Sequence, residues 1–314
     1  MDLITHFIVP YAILTLMKSK NRLEGALGGI APDFDVLIAG IGIIFPELFV
    51  FSHRGITHSF LFGFVTVVIF LYLVSRKPVK ETMSHVIKRD FNVNFTKTTV
   101  LVAYFGVLTH LFLDFLTSKG IPLFYPFILN RFSAELYSSL DFVTICLALA
   151  VIIVLYLKVD SRYKNMALAG FVIVLIIFGG VRAYEKMDVL GEAQNFSASY
   201  TNITAYPSSD MFSWYLVENS PDKSVYRSFK FNNLNKGVSE TLTAKTISIS
   251  NGSYQAGLDA VKEANSTAAV QRFKWNAFYP FVNAKGSKEG WNVTYFDIVP
   301  SYNNQNITVY VSGI

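Results

Sequence analysis

The stretch TTVLVAYFGVLTHLFLDFLT, residues 98–117, decides how this chain is read. It is apolar for long enough to cross a bilayer as a helix, which takes about 20 residues. Yet it carries His110 and Asp114 near its end. Ionisable side chains at membrane depth are costly and mark functional sites. In a helix these two lie one turn apart on the same face, where they can bind one ion.

Outward from this stretch, further apolar runs at about 3–17, 24–45, 56–75, 140–157 and 165–182 have the length of spanning helices. A chain of 314 residues that is 52% hydrophobic, 16% charged and 15% aromatic is too apolar for an ordinary soluble protein. The fold expected is an α-helical polytopic membrane domain of about six spans over residues 1–183, followed by a β-rich extracytoplasmic domain over 184–314. The first run has no basic n-region and contains His6 and Pro10, so it reads as a span rather than a cleaved signal peptide. The net charge of +5 does not call for nucleic acid, because the Lys and Arg residues lie mainly in short loops where topology explains them. No nucleic-acid binding is expected. Cys146, alone of its type and inside an apolar run, is expected to be a packing residue, and the exported part has no disulfide framework.

Positive charge orients the bundle. One side gathers Lys18, Lys20 and Arg22, then Arg76, Lys77, Lys80, Lys88, Arg89 and Lys97, then Lys158, Arg162 and Lys164; the other holds only Arg54, Lys119 and Arg131. The richer side is expected to be cytoplasmic. His6, His53, His58, His110 and Asp114 then converge on the outer leaflet, while His85 falls in a cytoplasmic loop. Asp33 and Asp35 lie deeper, after Pro32, which removes a backbone donor and permits a break. On a regular helix these two acids would diverge, so joint ligation needs an irregular backbone or bridged ions. Gly55 lets the chain turn between His53 and His58, and Thr57 or Ser59 can cap the following helix or hold a ligand. Arg54 suits an anionic oxygen, its fork matching phosphate.

Beyond about Met187 the composition turns to Asn, Ser, Thr and Tyr. The runs Phe196–Thr204, Trp214–Val217, Ser224–Phe231, Thr243–Ile249, Asn292–Val299 and Ile307–Val311 read as strands of a mostly antiparallel unit, with a helix at about Tyr254–Ala264. Sequons at Asn195, Asn202, Asn251, Asn265, Asn292 and Asn306 are expected to include glycosylated sites, and that richness suggests an archaeal-type cell surface.

Bland readings compete. A single histidine at a span end is commonly interfacial, an intramembrane Asp commonly pairs with a cation such as Arg54, and a His/Asp cluster also suits proton or metal-ion transport. The delivery of the same ligand chemistry by separate segments favours a metal.

Thr5-His6, Ala31-Pro32-Asp33-x-Asp35, His53-Arg54-Gly55-x-Thr57-His58-Ser59, His110-x-x-x-Asp114-x-x-Thr117-x-x-Gly120 and Leu123-x-x-Pro126-Phe127 resemble the YdjM family of inner-membrane metal-dependent hydrolases. The likeness covers about residues 1–145, and its most specific part is the string from His53 to Ser59. The family is distantly similar to zinc-dependent phospholipase C. The resemblance implies His6, Asp33, Asp35, His53, His58, His110 and Asp114 as ligands of a divalent metal, zinc first, with manganese or iron as substitutes. Asp141 is implied as an outer member. The activity expected is that of a hydrolase acting at the outer leaflet on a phosphoester such as a membrane-lipid headgroup, with Arg54 or a second ion stabilising developing charge and whichever of Asp33 or Asp35 does not ligate acting as general base. The other readings are a transport protein, and a non-catalytic surface protein with a structural metal.

Overall fold

A computed structural model describes residues 1–139, 141–196, 201–299 and 306–312. The chain divides into two compact units, Met1–Gly40 with Val50–Ala183, and Ile41–Phe49 with Tyr184–Ile314.

The first unit is helical. Helix α1 (Leu3–Leu16) is capped by Asp2, whose carboxylate accepts from the Thr5 amide. Helix α2 (Arg22–Ile30) gives way at Ala31 to a 3-10 segment, Ala31–Leu37, and then to α3 (Ala39–Ile44). This supplies the irregular backbone after Pro32 that the two acids require. Ser59 caps α4 (Phe60–Val74), which meets the amphipathic α5 (Lys77–Ile87) at a bend of 77°. A capping box of Thr96 and Thr99 opens α6 (Lys97–Phe115), which carries His110 and Asp114. Helices α7 (Phe142–Tyr156) and α8 (Ser161–Phe196) follow.

By length and composition, Arg22–Gly42, Lys97–Phe115 and Ser161–Gln194 can each cross a membrane, and the bent α4–α5 pair adds a fourth candidate. Leu3–Leu16 and Phe142–Tyr156 are apolar but shorter. Cys146 is exposed on α7 rather than packed. The buried stripe of that helix is Thr144, Ala148 and Val151, so Cys146 falls on its outward face.

Burial follows the apolar faces. Ile8, Ala12, Leu113, Ala148, Val151 and Phe171 form one core, and Leu27, Val67, Leu71, Ala103, Val107 and Leu111 a second. Glycine allows the closest approach. A Cβ on Gly28 would sit 1.8 Å from the Ala103 carbonyl oxygen, and one on Gly106 2.0 Å from that of Gly25. Helices α2 and α6 therefore touch backbone to backbone, the small-residue packing that suits association in lipid.

The second unit holds two four-stranded sheets. Strands β1 (Thr201–Pro207), β2 (Ser213–Asn219), β3 (Val225–Asn232) and β4 (Gly237–Lys245) form an antiparallel meander. Strands β5 (Ile247–Ser250), β6 (Pro280–Gly286), β7 (Gly290–Asp297) and β8 (Ile307–Ser312) form the other, in which β5 and β6 run parallel. Helices α9 (Tyr254–Asn265) and α10 (Ala268–Asn276) lie between β5 and β6 in the chain, as the crossover of a parallel pair requires. Residues 243–249, expected as one strand, are two. Thr246 donates to the Ser224 carbonyl of the first sheet and accepts from the Val282 amide of the second, so the chain changes sheets there. Phe49 packs its ring 5.4 Å from Trp275, which ties the segment Ile41–Phe49 to this unit. The start of the expected strand 196–204 lies partly outside the described residues.

Candidate metal centre

The helix contacts place the first group of side chains. A Cβ on Gly29 would lie 2.1 Å from the His6 carbonyl oxygen, so α1 also rests directly on α2. This brings His6 of α1 against His110 of α6, their rings stacked with centroids 3.7 Å apart. His6 Nε2 is 3.3 Å from Asp114 Oδ1. His110 Nδ1 lies 2.7 Å from the Gly29 carbonyl oxygen, which can only accept. The ring proton is therefore assigned to Nδ1, leaving the Nε2 lone pair to face the interior.

The loop before α4 supplies the second group. Arg54 adopts a left-handed φ of 62°, and a Cβ on Gly55 would meet the Val50 carbonyl oxygen at 1.9 Å, so the turn is tight enough to require glycine. Asp35 organises that turn. Its Oδ2 accepts from the Arg54 amide at 3.0 Å and from the Thr57 hydroxyl at 3.1 Å, and lies 3.3 Å from His58 Nδ1. Its Oδ1 is 2.9 Å from His53 Nδ1. With the Nδ1 side of His58 held in this way, its Nε2 turns inward, 3.0 Å from His110 Nε2. The same atom is 3.5 Å from both Asp33 Oδ1 and Asp114 Oδ2.

Three overlapping groups result: His6, His110 and Asp114; Asp33, His58 and His110; Asp35, His53 and His58. Within each, one ligand atom per residue lies within 4.8 Å of the others, a spacing at which the group can hold a metal ion. His110 belongs to two groups and His58 to two. His6, His58, His110 and Asp114 are buried, whereas the His53 side chain is half exposed. Both ring nitrogens of His6 and Oδ2 of Asp114 are buried with no hydrogen-bond partner. Buried polar atoms are rarely left so, and imidazole nitrogen with carboxylate oxygen is a donor set that fits zinc or a similar divalent ion.

Cations ring one side of the centre. The buried Arg54 guanidinium sends Nη2 to Asp114 Oδ1 at 3.0 Å and Nη1 to the Thr117 hydroxyl at 2.8 Å. It thus pairs with Asp114, not with Asp33 or Asp35. Asp114 Oδ1 also meets the Met1 α-amino group. Arg131 Nη2 donates to the carbonyls of Arg54 at 3.1 Å and Gly120 at 3.2 Å. Burial, together with the neighbouring Arg131 and Arg54, pulls the Lys119 ammonium down to about 8. Of the other residues singled out, Ser59 caps α4, and Asp141 caps α7 through the Thr144 amide at 2.9 Å. His85 lies in α5. In the sequence Lys119 and Arg131 signal only topology, and Thr117 is marked by its place in the string after Asp114.

The helices and the buried His/Asp cluster together define a membrane protein with a site able to bind a metal. The YdjM inner membrane protein family profile matches residues 1–187, and the chain belongs to that family. It is 30% identical over 138 residues, 42% of this chain and 70% of the relative, to "Inner membrane protein YbcI" of Escherichia coli (strain K12). No solved structure matches.

Proposed function

We propose that the chain is a membrane-bound, metal-dependent hydrolase acting at the outer leaflet on a phosphoester. The observation that carries this is the set of buried atoms on His6 and Asp114 that make no hydrogen bond, beside the inward-turned Nε2 atoms of His58 and His110. His6, His58, His110 and Asp114 would hold the ion, with His53 at the exposed edge and Asp33 left beside it as a free carboxylate. Asp35, its oxygens occupied by the donors of the turn, orients the rings of His53 and His58. Bound there, zinc, or manganese or iron in its place, supplies Lewis acidity toward water and a phosphoryl oxygen.

The residues of the chain do the rest. Arg54, fixed by Asp114 and Thr117, presents its guanidinium to negative charge that grows on phosphoryl oxygen. Asp33, less buried than Asp35, is the carboxylate placed to accept a proton at the mouth of the site. The six apolar helices are read as six spans, with the loop of Lys18 to Arg22 and α5 in the cytoplasm and the β-rich unit outside.

Elemental analysis of the detergent-purified protein beside His110→Ala and Asp114→Ala tests the reading. Stoichiometric zinc, manganese or iron in the wild type and its loss from both variants is the expected result, followed by turnover in a phosphoester screen. A wild type that retains no metal overturns it.

A further inference from the structure

The turn between α1 and α2 gathers positive charge, with Lys18, Lys20 and Arg22 following closely on the end of α1 at Leu16. Two backbone bonds close that helix, from the Lys18 amide to the Thr15 carbonyl at 3.0 Å and from the Ser19 amide to the Leu14 carbonyl at 2.9 Å. The closure holds Lys18 at a left-handed φ of 56°, at a position that ordinarily goes to glycine. Arg22 extends over the Tyr11 ring, 5.8 Å from its centroid. Ile8 and Ala12 of α1 share a core with Leu168 and Phe171 of α8, so the turn comes beside the start of α8.

A cleft of about 500 Å³ results, lined by the three cations together with Ser19, Ser161 and Asn165. That volume falls in the usual range of small-ligand sites, about 300–1,000 Å³. No carboxylate lines it among the described residues, and the hydroxyl and amide groups supply further donors. The Ser19 hydroxyl oxygen accepts from the Asn21 amide at 3.2 Å, which leaves its own proton to give. Like charges converging on one concave surface focus a potential that draws anions. Leu16 and Met17 before the turn and Met166 on α8 are exposed apolar side chains, and Ser161–Gln194 is long and apolar enough to cross a membrane. A basic pocket between apolar helices at the membrane surface suits the phosphate of a lipid headgroup. Topology alone accounts for basic residues on this face, but not for their convergence on one cleft. The His/Asp centre draws on the other end of α1, about 15 Å away along the axis from Leu16 to His6 at 1.5 Å per residue.

We propose that this cleft binds a phosphate group, carried by the headgroup of an acidic membrane lipid or by a soluble phosphate compound. In the proposed orientation it faces the cytoplasm, and it is independent of both that orientation and the hydrolase reading.

For the test, the full chain in an uncharged detergent is mixed with equal amounts of phosphatidylglycerol and phosphatidylcholine and freed of excess micelles. The retained lipid is then measured by mass spectrometry, and binding of inorganic phosphate is followed in parallel by equilibrium dialysis. Phosphatidylglycerol is expected to be retained over phosphatidylcholine by about tenfold, the scale of one to two cations acting on an anionic headgroup. Lys18→Gln with Lys20→Gln should reduce that preference by at least about fivefold, and Lys18→Arg with Lys20→Arg should keep it. Lys77→Gln with Lys88→Gln removes as much charge from exposed positions outside the cleft and should leave the preference unchanged. Preferential retention of phosphatidylglycerol assigns a lipid headgroup as the ligand. Binding of inorganic phosphate without a lipid preference, and with the same dependence on Lys18 and Lys20, assigns a soluble one. Binding of neither, no loss in the Lys18→Gln, Lys20→Gln pair, or an equal loss in the control pair overturns the proposal.

Discussion

At the scale of single residues, the two aspartates flanking Phe34 have different surroundings, although the sequence presents them as equivalent. Asp35 is enclosed by donors from the His53–His58 turn, while Asp33 faces the Nε2 atoms of His58 and His110 from a more open position. Replacing Asp35 with Asn leaves one carbonyl oxygen where two carboxylate oxygens now serve the turn. Asp35→Asn is therefore expected to weaken metal affinity by about 10–100-fold, the usual cost of losing an orienting partner behind a ligand. Chelator competition measures it. Affinity equal to wild type would show that the rings of His53 and His58 are held by something else. Arg54→Lys tests a different function. Lysine cannot reach both Asp114 Oδ1 and the Thr117 hydroxyl as the guanidinium fork does. Metal content should be kept while hydrolytic rate falls by about 100-fold, the scale of one lost charge-stabilising donor. Loss of metal in Arg54→Lys would instead give Arg54 a structural role.

At the scale of elements, the site depends on helices that approach closely enough for side chains from α1, α2 and α6 to share one space. Ala at Gly28 would put its methyl carbon 1.8 Å from a backbone oxygen, which no rotamer change relieves. Gly28→Ala should lower the thermal midpoint, consistent with about 1–3 kcal/mol or more of overpacking. Gly170→Ala in α8, where nothing lies within 4 Å, is the control and should be neutral or slightly stabilising. Equal midpoints for the two would show that α2 and α6 can separate at no cost. This explains which parts were legible in the sequence. Apolar runs and the His/Asp strings are local signals, so α1, α4, α6 and α7 and the ligand candidates could be read directly. Packing at Gly28 and Gly106 is a relation between helices, visible only once they are paired. The bond from Arg131 to the Arg54 carbonyl is likewise a relation between segments distant in sequence. In the β-rich unit, β6 with its Pro, Asn, Lys and Gly lacks a continuous β-branched run, and the change of sheet at Thr246 leaves an unbroken strand-like pattern from 243 to 249.

At the scale of the whole molecule, the direction of insertion decides which leaflet the His/Asp centre serves. The basic residues of Arg76–Lys97 and of the loops before α2 and α8 favour those segments in the cytoplasm. In the proposed orientation the β-rich unit would lie on the far side of the membrane and the centre near the outer leaflet. Replacing Cys146 with Ser gives a background in which single cysteines report side. In intact cells a membrane-impermeant thiol reagent should label a cysteine at Lys236, which is exposed on the β-rich unit, and should fail to label one at Lys88 until the membrane is permeabilised. Both positions are substantially exposed, so lack of labelling reports the membrane rather than burial within the protein. The reverse pattern would place the centre at the cytoplasmic leaflet. Its substrates would then come from the cell interior, and the proposed outer-leaflet headgroup would be excluded even if the metal is bound. Labelling at both positions would mean an even number of crossings among α6, α7 and α8, so that at least one of the helices proposed as spans does not cross.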